Sequence, residues 1–586
     1  MYYDLGLGSL ISESQFREKV MDAGIGQKLF DDFLHHASSI GNTPQVILVH
    51  KAILLLKKRQ YPVSAADLSE IHRTSLLKFS GTDGVRGIVG SSAGQSIQTF
   101  LQERIITLDL CRMLASGFAS MLEKCKPSLR RCVALAEDGR DQSEETGLVS
   151  AITAALQGQG FDVEHLGVLP TPALAAWSLD RECGAIMVTA SHNPHQYNGM
   201  KFFIEGKKLF PEGECGEFAL SSYALENEGR PRMTNGAFSQ LTDKSEEAKG
   251  LFPSLFTNTL SETELGRLNG CHCIIDCANG ASSYVLPPLL HALGISFHLV
   301  ADKPAKKAIN KGCGAARFEG FYSVGPDESF LSPLVGALLS LGPTYENKRV
   351  FGITLDGDGD RALVLVPDSE GRTLSVLHGD ELLLLLARRT LGSKGVIRVT
   401  LESDNALVPA IRRLSSDFSI EMTAVGDRHL SKMTEGSEVV LVGGEDSGHL
   451  VFPVTVGNGY LYSGNGVLSA LAAISVFVRD NLTLPLFSRK GVDKRSISLK
   501  DTGLWFPNSA LWNEVQHSID RYMPEDLNHV RFASESDIVS YRTADEDLLY
   551  VRASGTEPKL TVSFSRIGDT GFNMLVQSLT RICAHM

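Results

Sequence analysis

The sequence predicts an α/β protein of three related α/β domains, followed by a C-terminal α+β domain and preceded by an N-terminal helical extension. Three observations predict this. Short apolar runs at 133–136, 185–188, 273–276 and 350–355 each end in a small, polar loop, the pattern of buried strands that feed turns at a sheet edge. Amphipathic stretches such as 108–121 alternate with these runs, which implies crossover helices on a parallel sheet. The 586 residues also exceed what one core can organise.

Residues 1–77 read as wholly helical. Ser12 and Gln15 fit a capping box ahead of Phe16, Val20 and Met21, and Thr43-Pro44 places a cap and an N1 proline before 46–56. Nothing here carries chemistry, so the extension reads as packing material or a partner-docking arm. The α/β units follow at 78–245, 246–345 and 346–485. Their boundaries fall at the turn-rich stretch from Gly229-Arg230-Pro231 to Gly250 and at Gly342-Pro343-Thr344. Residues 486–586 form the α+β end, with strands near 549–552 and 561–564 and a helix over 571–582.

Composition removes several classes. A net charge of −12 disfavours non-specific nucleic-acid binding. The ten cysteines are scattered and several adjoin apolar runs, which fits reduced thiols rather than a disulfide framework. Cys271, His272, Cys273 and Cys277 lie on a predicted strand without a paired CxxC, so they read as core residues rather than a zinc site. The N-terminus lacks a basic region and an apolar run, and the longest apolar stretches, 382–387 and 467–478, fall short of a membrane span. The expected setting is cytoplasmic, without membrane or nucleic-acid partners.

The densest chemical signal is Asp356-Gly357-Asp358-Gly359-Asp360-Arg361. Three carboxylates at alternate positions, separated by glycines that let the backbone turn, can converge on a hard cation such as Mg2+. The alternatives are a solvated acidic turn, or an aspartyl nucleophile of the haloacid-dehalogenase-like kind with Asp356 attacking phosphate. Ser191 lies in the loop Thr189-Ala190-Ser191-His192-Asn193-Pro194, just past a predicted strand, where a serine is either a helix cap or an exposed nucleophile. Arg552-Ala553-Ser554-Gly555-Thr556 supplies a guanidinium, two hydroxyls and a glycine, a set suited to a phosphate nest. Gly444-Glu445-Asp446-Ser447-Gly448-His449 offers acceptors for sugar hydroxyls and a titratable imidazole. Ser80-Gly81-Thr82-Asp83-Gly84-Val85-Arg86-Gly87 and Gly139-Arg140-Asp141 add cationic turns.

The five longer loops, in the chain order 80–87, 189–194, 356–361, 444–449 and 552–558, resemble the α-D-phosphohexomutase family. The resemblance implies four domains around a central cleft and a phosphoserine enzyme. Ser191 would carry the phosphoryl group, and with Asp356, Asp358 and Asp360 it would bind Mg2+. A hexose monophosphate would be converted between its 1- and 6-phosphate through a hexose 1,6-bisphosphate that turns over in the cleft. Lys201 and His449 would act as acid and base, with Arg86 and Arg361 positioning anionic groups. Glu445, Ser447, Gly426 and Asp427 would hold the sugar, and Arg552, Ser554, Gly555 and Thr556 the phosphate that is not being transferred. The chain would be a monomer or homodimer.

Two departures stand out. Gln142-Ser143-Glu144-Glu145 lacks an arginine common in relatives, and Thr561 stands where many have arginine. The Thr189-Ala190 start of the serine loop and the extension favour glucose or mannose phosphate. Val425-Gly426-Asp427-Arg428, Asn310-Lys311-Gly312-Cys313-Gly314 and Asp83-Gly84-Val85-Arg86 resemble the glucosamine-phosphate branch. A non-catalytic sugar-phosphate sensor would be expected to lose Ser191 or a ligand aspartate, and this chain keeps them.

Overall fold

The computed structural model describes residues 1–585 except 8, 40–44, 58, 60–61, 82, 92–95, 141–146, 228–240, 305–306, 433–437, 458, 500–503, 524–526, 531–537, 545–546 and 554–558. The extension is not wholly helical. Strands Tyr2–Asp4, Ser9–Ile11 and Ile47–Leu48 form a small sheet beside helices Glu13–Asp22, Gln27–Ser39, Val49–Lys57 and Ala65–Ser75. The expected Ser12/Gln15 capping box is present, whereas Thr43 and Pro44 lie outside the described residues and 47–48 are extended. Tyr3, Val46 and Leu48 join the core of the first α/β domain. Phe16, Phe30, Phe33 and Leu55 build a separate core that also encloses Phe506 of the C-terminal domain.

The first α/β sheet has Cys132–Glu137 at its centre, parallel to Asp162–Val168 on one side and Gly184–Val188 on the other. It is mixed rather than parallel throughout, because Tyr197–Ile204 runs antiparallel to both Gly184–Val188 and Val85–Val89. The serine loop therefore joins two adjacent antiparallel strands, and Lys201 lies directly across from Met187 in the register.

The second sheet runs Ser296–Val300, Cys271–Asp276, Lys348–Leu355, Ala362–Pro367, Leu374–Leu377 and Ser323–Val324. Residues 348–377 were expected in the third domain, but Lys348–Leu355 pairs along its length with Cys271–Asp276. The boundary thus falls after Leu377, and the aspartate loop is the hairpin between two strands of the second sheet. All ten cysteines are free, with Cys271 and Cys273 in the core.

The third sheet holds Phe418–Thr423, Gly395–Thr400, Val440–Gly444 and Leu450–Val451. One apolar core runs from Cys132 to Phe487 through all three α/β domains, which ties them into one body. The C-terminal domain has its own core, built from five antiparallel strands with helices Ala510–Tyr522 and Thr570–His585. Among the described residues no helix is long and apolar enough to cross a membrane.

Candidate active site

Ser191 is fully buried and adopts φ +53°, a left-handed conformation that costs a non-glycine residue roughly 1–2 kcal/mol. Its neighbours hold it there. Its amide donates to Thr189 Oγ1 at 2.8 Å, and its carbonyl accepts from Arg140 Nη2 at 2.6 Å and from Asn310 Nδ2 at 2.8 Å. Arg140 is fixed in turn by Asp138 at 2.8 Å, which also accepts from Thr189 Oγ1 at 2.5 Å. So fixed, Ser191 Oγ donates to Asp356 Oδ2 at 2.5 Å.

The glycines of the aspartate loop make this approach possible. A Cβ on Gly357 would come within 2.9 Å of the Ser191 carbonyl and 2.7 Å of Ile309, and Gly359 has φ +71°. Asp356, Asp358 and Asp360 are buried, with one oxygen of each lying within 4.8 Å of the others. Burial, with Asp360 and Asp358 alongside, pushes the Asp356 carboxyl well above the usual carboxylate range. Asp358 Oδ1 and Asp360 Oδ1 are buried without a hydrogen-bond partner. An orphaned pair of carboxylate oxygens beside a third carboxylate and a serine hydroxyl suits a hard, oxygen-seeking dication.

Lys201 is the cation found against this cluster. Its Nζ lies 2.7 Å from Asp358, 2.6 Å from Asp360 and 3.0 Å from Asp83. Burial opposes its charge, but Asp358, Asp360 and Asp83 overcome that and hold its pKa well above the ordinary lysine value. From there a ladder of buried charges runs to the 444–449 loop. Lys208 bridges Asp83 at 2.6 Å and Asp427 at 2.7 Å, and His449 Nε2 lies 3.2 Å from Asp427. His449 is raised above the ordinary histidine value because Asp360 and Asp427 outweigh the burial that would lower it. Arg86 pairs with Asp83 and donates to its carbonyl at 2.9 Å.

Glu445 anchors the 444–449 loop, accepting from the Gly426 amide at 2.6 Å and from Ser447 Oγ at 3.2 Å. The Arg361 amide donates to Asp356 at 3.2 Å, and its backbone bridges that of His449. The aspartate loop and the 444–449 loop are thus joined through their backbones.

These groups border a cleft of about 230 Å³, lined among others by Arg86, Arg361, Gly426, Glu445, His449 and Arg552. The structure brings Ser191, Lys201, Asp356, Asp358, Asp360, Arg86, Arg361, Gly426, Asp427, Glu445, Ser447 and His449 into one neighbourhood, with Arg552 on the wall of the cleft. Ser554, Gly555 and Thr556 lie outside the described residues. Sequence reasoning missed Glu402 and Lys494, which line the cleft, and Lys208, which bridges Asp83 and Asp427 behind it; none sits in a glycine-rich motif, and all reach the site only through tertiary packing. Arg140 is an arginine beneath the serine loop, although the stretch 142–145 after it has none.

Family models described as "Phosphoglucomutase/phosphomannomutase, alpha/beta/alpha domain I" and "domain III" match residues 77–215 and 378–489. Phosphoglucosamine mutase of Deinococcus deserti is 30% identical over 409 residues, 70% of this chain and 79% of that protein. The chain belongs to the α-D-phosphohexomutase family. The phosphoglucosamine mutase of Chromohalobacter salexigens, another relative of this phosphohexomutase, is 31% identical over 83% of the chain and 93% of that protein. In fold it is similar to a phosphoglucomutase/phosphomannomutase family protein of Burkholderia thailandensis. That match has TM-score 0.59 and 19% identity, over 86% of this chain and 96% of the other. An Aspergillus fumigatus N-acetylphosphoglucosamine mutase variant in complex with glucose 1,6-bisphosphate matches at TM-score 0.50 and 14% identity, over 91% and 98%. The start of the third-domain match at 378 agrees with the boundary given by the sheets.

Proposed function

We propose that this phosphohexomutase interconverts hexosamine 1- and 6-phosphates through phosphoserine at Ser191 and a hexosamine 1,6-bisphosphate. The observation that carries the reading is the Ser191 hydroxyl held on Asp356 at 2.5 Å beside two further buried aspartates and Lys201. Preference for an amino sugar is supported by the names of the relatives at 30% and 31% identity. The Thr189-Ala190 start of the loop gives no ground for glucose or mannose, because the Thr189 hydroxyl is buried and spent on Asp138 and the Ser191 amide.

Asp356, Asp358 and Asp360, with an oxygen on Ser191, would hold Mg2+, which neutralises charge developing on the phosphoryl oxygens. The protein's own groups do the rest. The phosphoryl–Oγ bond at Ser191 breaks as a bond forms to the free sugar hydroxyl, and that hydroxyl's proton replaces the phosphoryl group on Oγ. The surrounding carboxylates push both Lys201 and His449 toward their protonated forms, so either enters the cycle as the acid that protonates Oγ, and it recovers its proton from the sugar hydroxyl. Glu445 and the Gly426 loop orient the ring, and Arg552 holds the second phosphate. The bisphosphate then turns over and returns its other phosphate to Ser191, which restores the enzyme.

The test is a coupled assay on glucosamine, glucose and mannose 1-phosphates, each with its 1,6-bisphosphate, together with recovery of the phosphoenzyme. Turnover should be highest with glucosamine 1-phosphate, the label should sit on Ser191 and resist hydroxylamine, and Ser191→Ala should lose both label and turnover. Label on Asp356, or full activity in Ser191→Ala, would overturn the phosphoserine. Faster turnover of glucose or mannose phosphate would overturn the amino-sugar preference.

A further inference from the structure

Glu402 has no part in that scheme, yet it stands at the phosphate end of the cleft. It follows strand Gly395–Thr400 of the third domain and reaches across to the C-terminal sheet. Its Oε1 accepts from Arg552 Nη2 at 2.7 Å and from the Tyr550 hydroxyl at 3.2 Å, and its Oε2 lies 3.4 Å from Lys494 Nζ. A guanidinium, an ammonium and a phenol converging on one anion are the donors a phosphate dianion takes. Lys559 lines the same wall. The side chain of Glu402 is only 16% exposed, so the carboxylate fills the space between these donors. Burial would push its carboxyl up, but Lys494 and Arg552 hold it well below the usual range, so it is charged.

We propose that Glu402 is an internal stand-in for the non-transferred phosphate: it occupies the donors of the C-terminal domain and must be displaced each time a sugar phosphate docks there. This rests on the reading of Arg552 as a phosphate-binding residue. A competing anion weakens the grip on phosphate and speeds its release. The scheme needs that release once in every cycle, because the bisphosphate has to let go of the C-terminal domain before it turns over. Glu402 is thus a positioning residue that acts through Arg552 and Lys494, exchanging affinity for turnover.

The experiment compares Glu402→Gln with the parent for KM, kcat and competitive inhibition by inorganic phosphate. The amide keeps the shape and removes the competing charge. KM and the inhibition constant for phosphate should both fall about tenfold, and kcat should fall with them. A carboxylate that merely ties the two domains together gives the opposite sign. KM or the phosphate constant unchanged or raised in Glu402→Gln would overturn the proposal. Glu402→Ala, which removes the anion without adding a donor, takes its place if the amide variant does not fold, with the same outcomes. Arg552→Ala separates the two levels. If it leaves KM and phosphate inhibition at parental values, the phosphate reading of Arg552 itself is wrong. If it weakens both while Glu402→Gln tightens neither, only the displacement role of Glu402 is lost.

Discussion

Replacing Lys201 by methionine tests the charge balance on which the centre depends. The ammonium lies 2.6 Å from Asp360 and 2.7 Å from Asp358, and all three side chains are essentially out of solvent. At these separations each contact is worth about 6 kcal/mol in gross Coulomb terms at an effective dielectric of 20. Relaxation and proton uptake by the acidic cluster recover part of that. The expected net loss is about 3–5 kcal/mol, the usual cost of leaving a buried charge without its partner. Methionine matches the volume, so a cavity adds little. Thermal unfolding in EDTA should then begin on the order of 5–10 °C earlier in Lys201→Met than in the parent. Adding Mg2+ at about a hundred times the parent's dissociation constant should return about 2.7 kcal/mol to the parent and more to the variant, because the variant site is more negative and binds the cation more tightly. A variant that melts within about 1 °C of the parent in EDTA would refute the counter-ion role of Lys201. Melting that Mg2+ moves in neither protein would refute cation binding by the three aspartates.

Two further outcomes follow from contacts between domains. Glu264 of the second domain meets Arg389 of the third at 2.6 Å; burial raises its carboxyl, but Arg389 and the Ser261 amide win and hold it at about 2. A depressed carboxylate stabilises the fold above its unfolded pKa of about 4.5, and that contribution is lost as pH falls from there toward about 2. Urea titrations should find Glu264→Gln about 1–2 kcal/mol less stable at pH 7, allowing for solvent screening, with the gap closing below pH 4.5; a gap equal at pH 7 and pH 3 would count against the pair. Phe506 is 3% exposed within the core of the N-terminal extension, with Lys51 Nζ 5.3 Å from its ring centroid. Phe506→Ala should remove about 3–5 kcal/mol and let the C-terminal domain unfold ahead of the rest, seen as a new early transition or a proteolytic fragment near residue 506; an unchanged single transition would sever the link between extension and C-terminal domain.

The loops that carry chemistry were legible because each needs a local composition. Three aspartates spaced by glycine cannot crowd together without a cation to answer them, and Ser191 needs a short polar turn to leave its strand. Strand and helix periodicity likewise announced most α/β elements. What local composition does not encode is which strands pair. Lys348–Leu355 reads as the start of a new domain after a turn-rich stretch, yet it completes the second sheet, because the edge of Cys271–Asp276 was open to it and both strands are buried on both faces. The short strands of the extension escaped for a related reason: two or three residues are too few to show a period of two.

By itself, then, the sequence determined the serine loop, the acidic loop, the Glu445 loop and the family to which they belong, since each is written in a handful of adjacent residues. Only the tertiary structure decided how those loops are balanced. Lys201, Lys208, Asp83 and Asp427 become a ladder of paired charges because three segments far apart in the chain, one of them the hairpin that carries both lysines, converge in a medium where an unpaired charge is too costly to bury. Glu402 meets Arg552 only because the third and C-terminal domains face each other across the cleft.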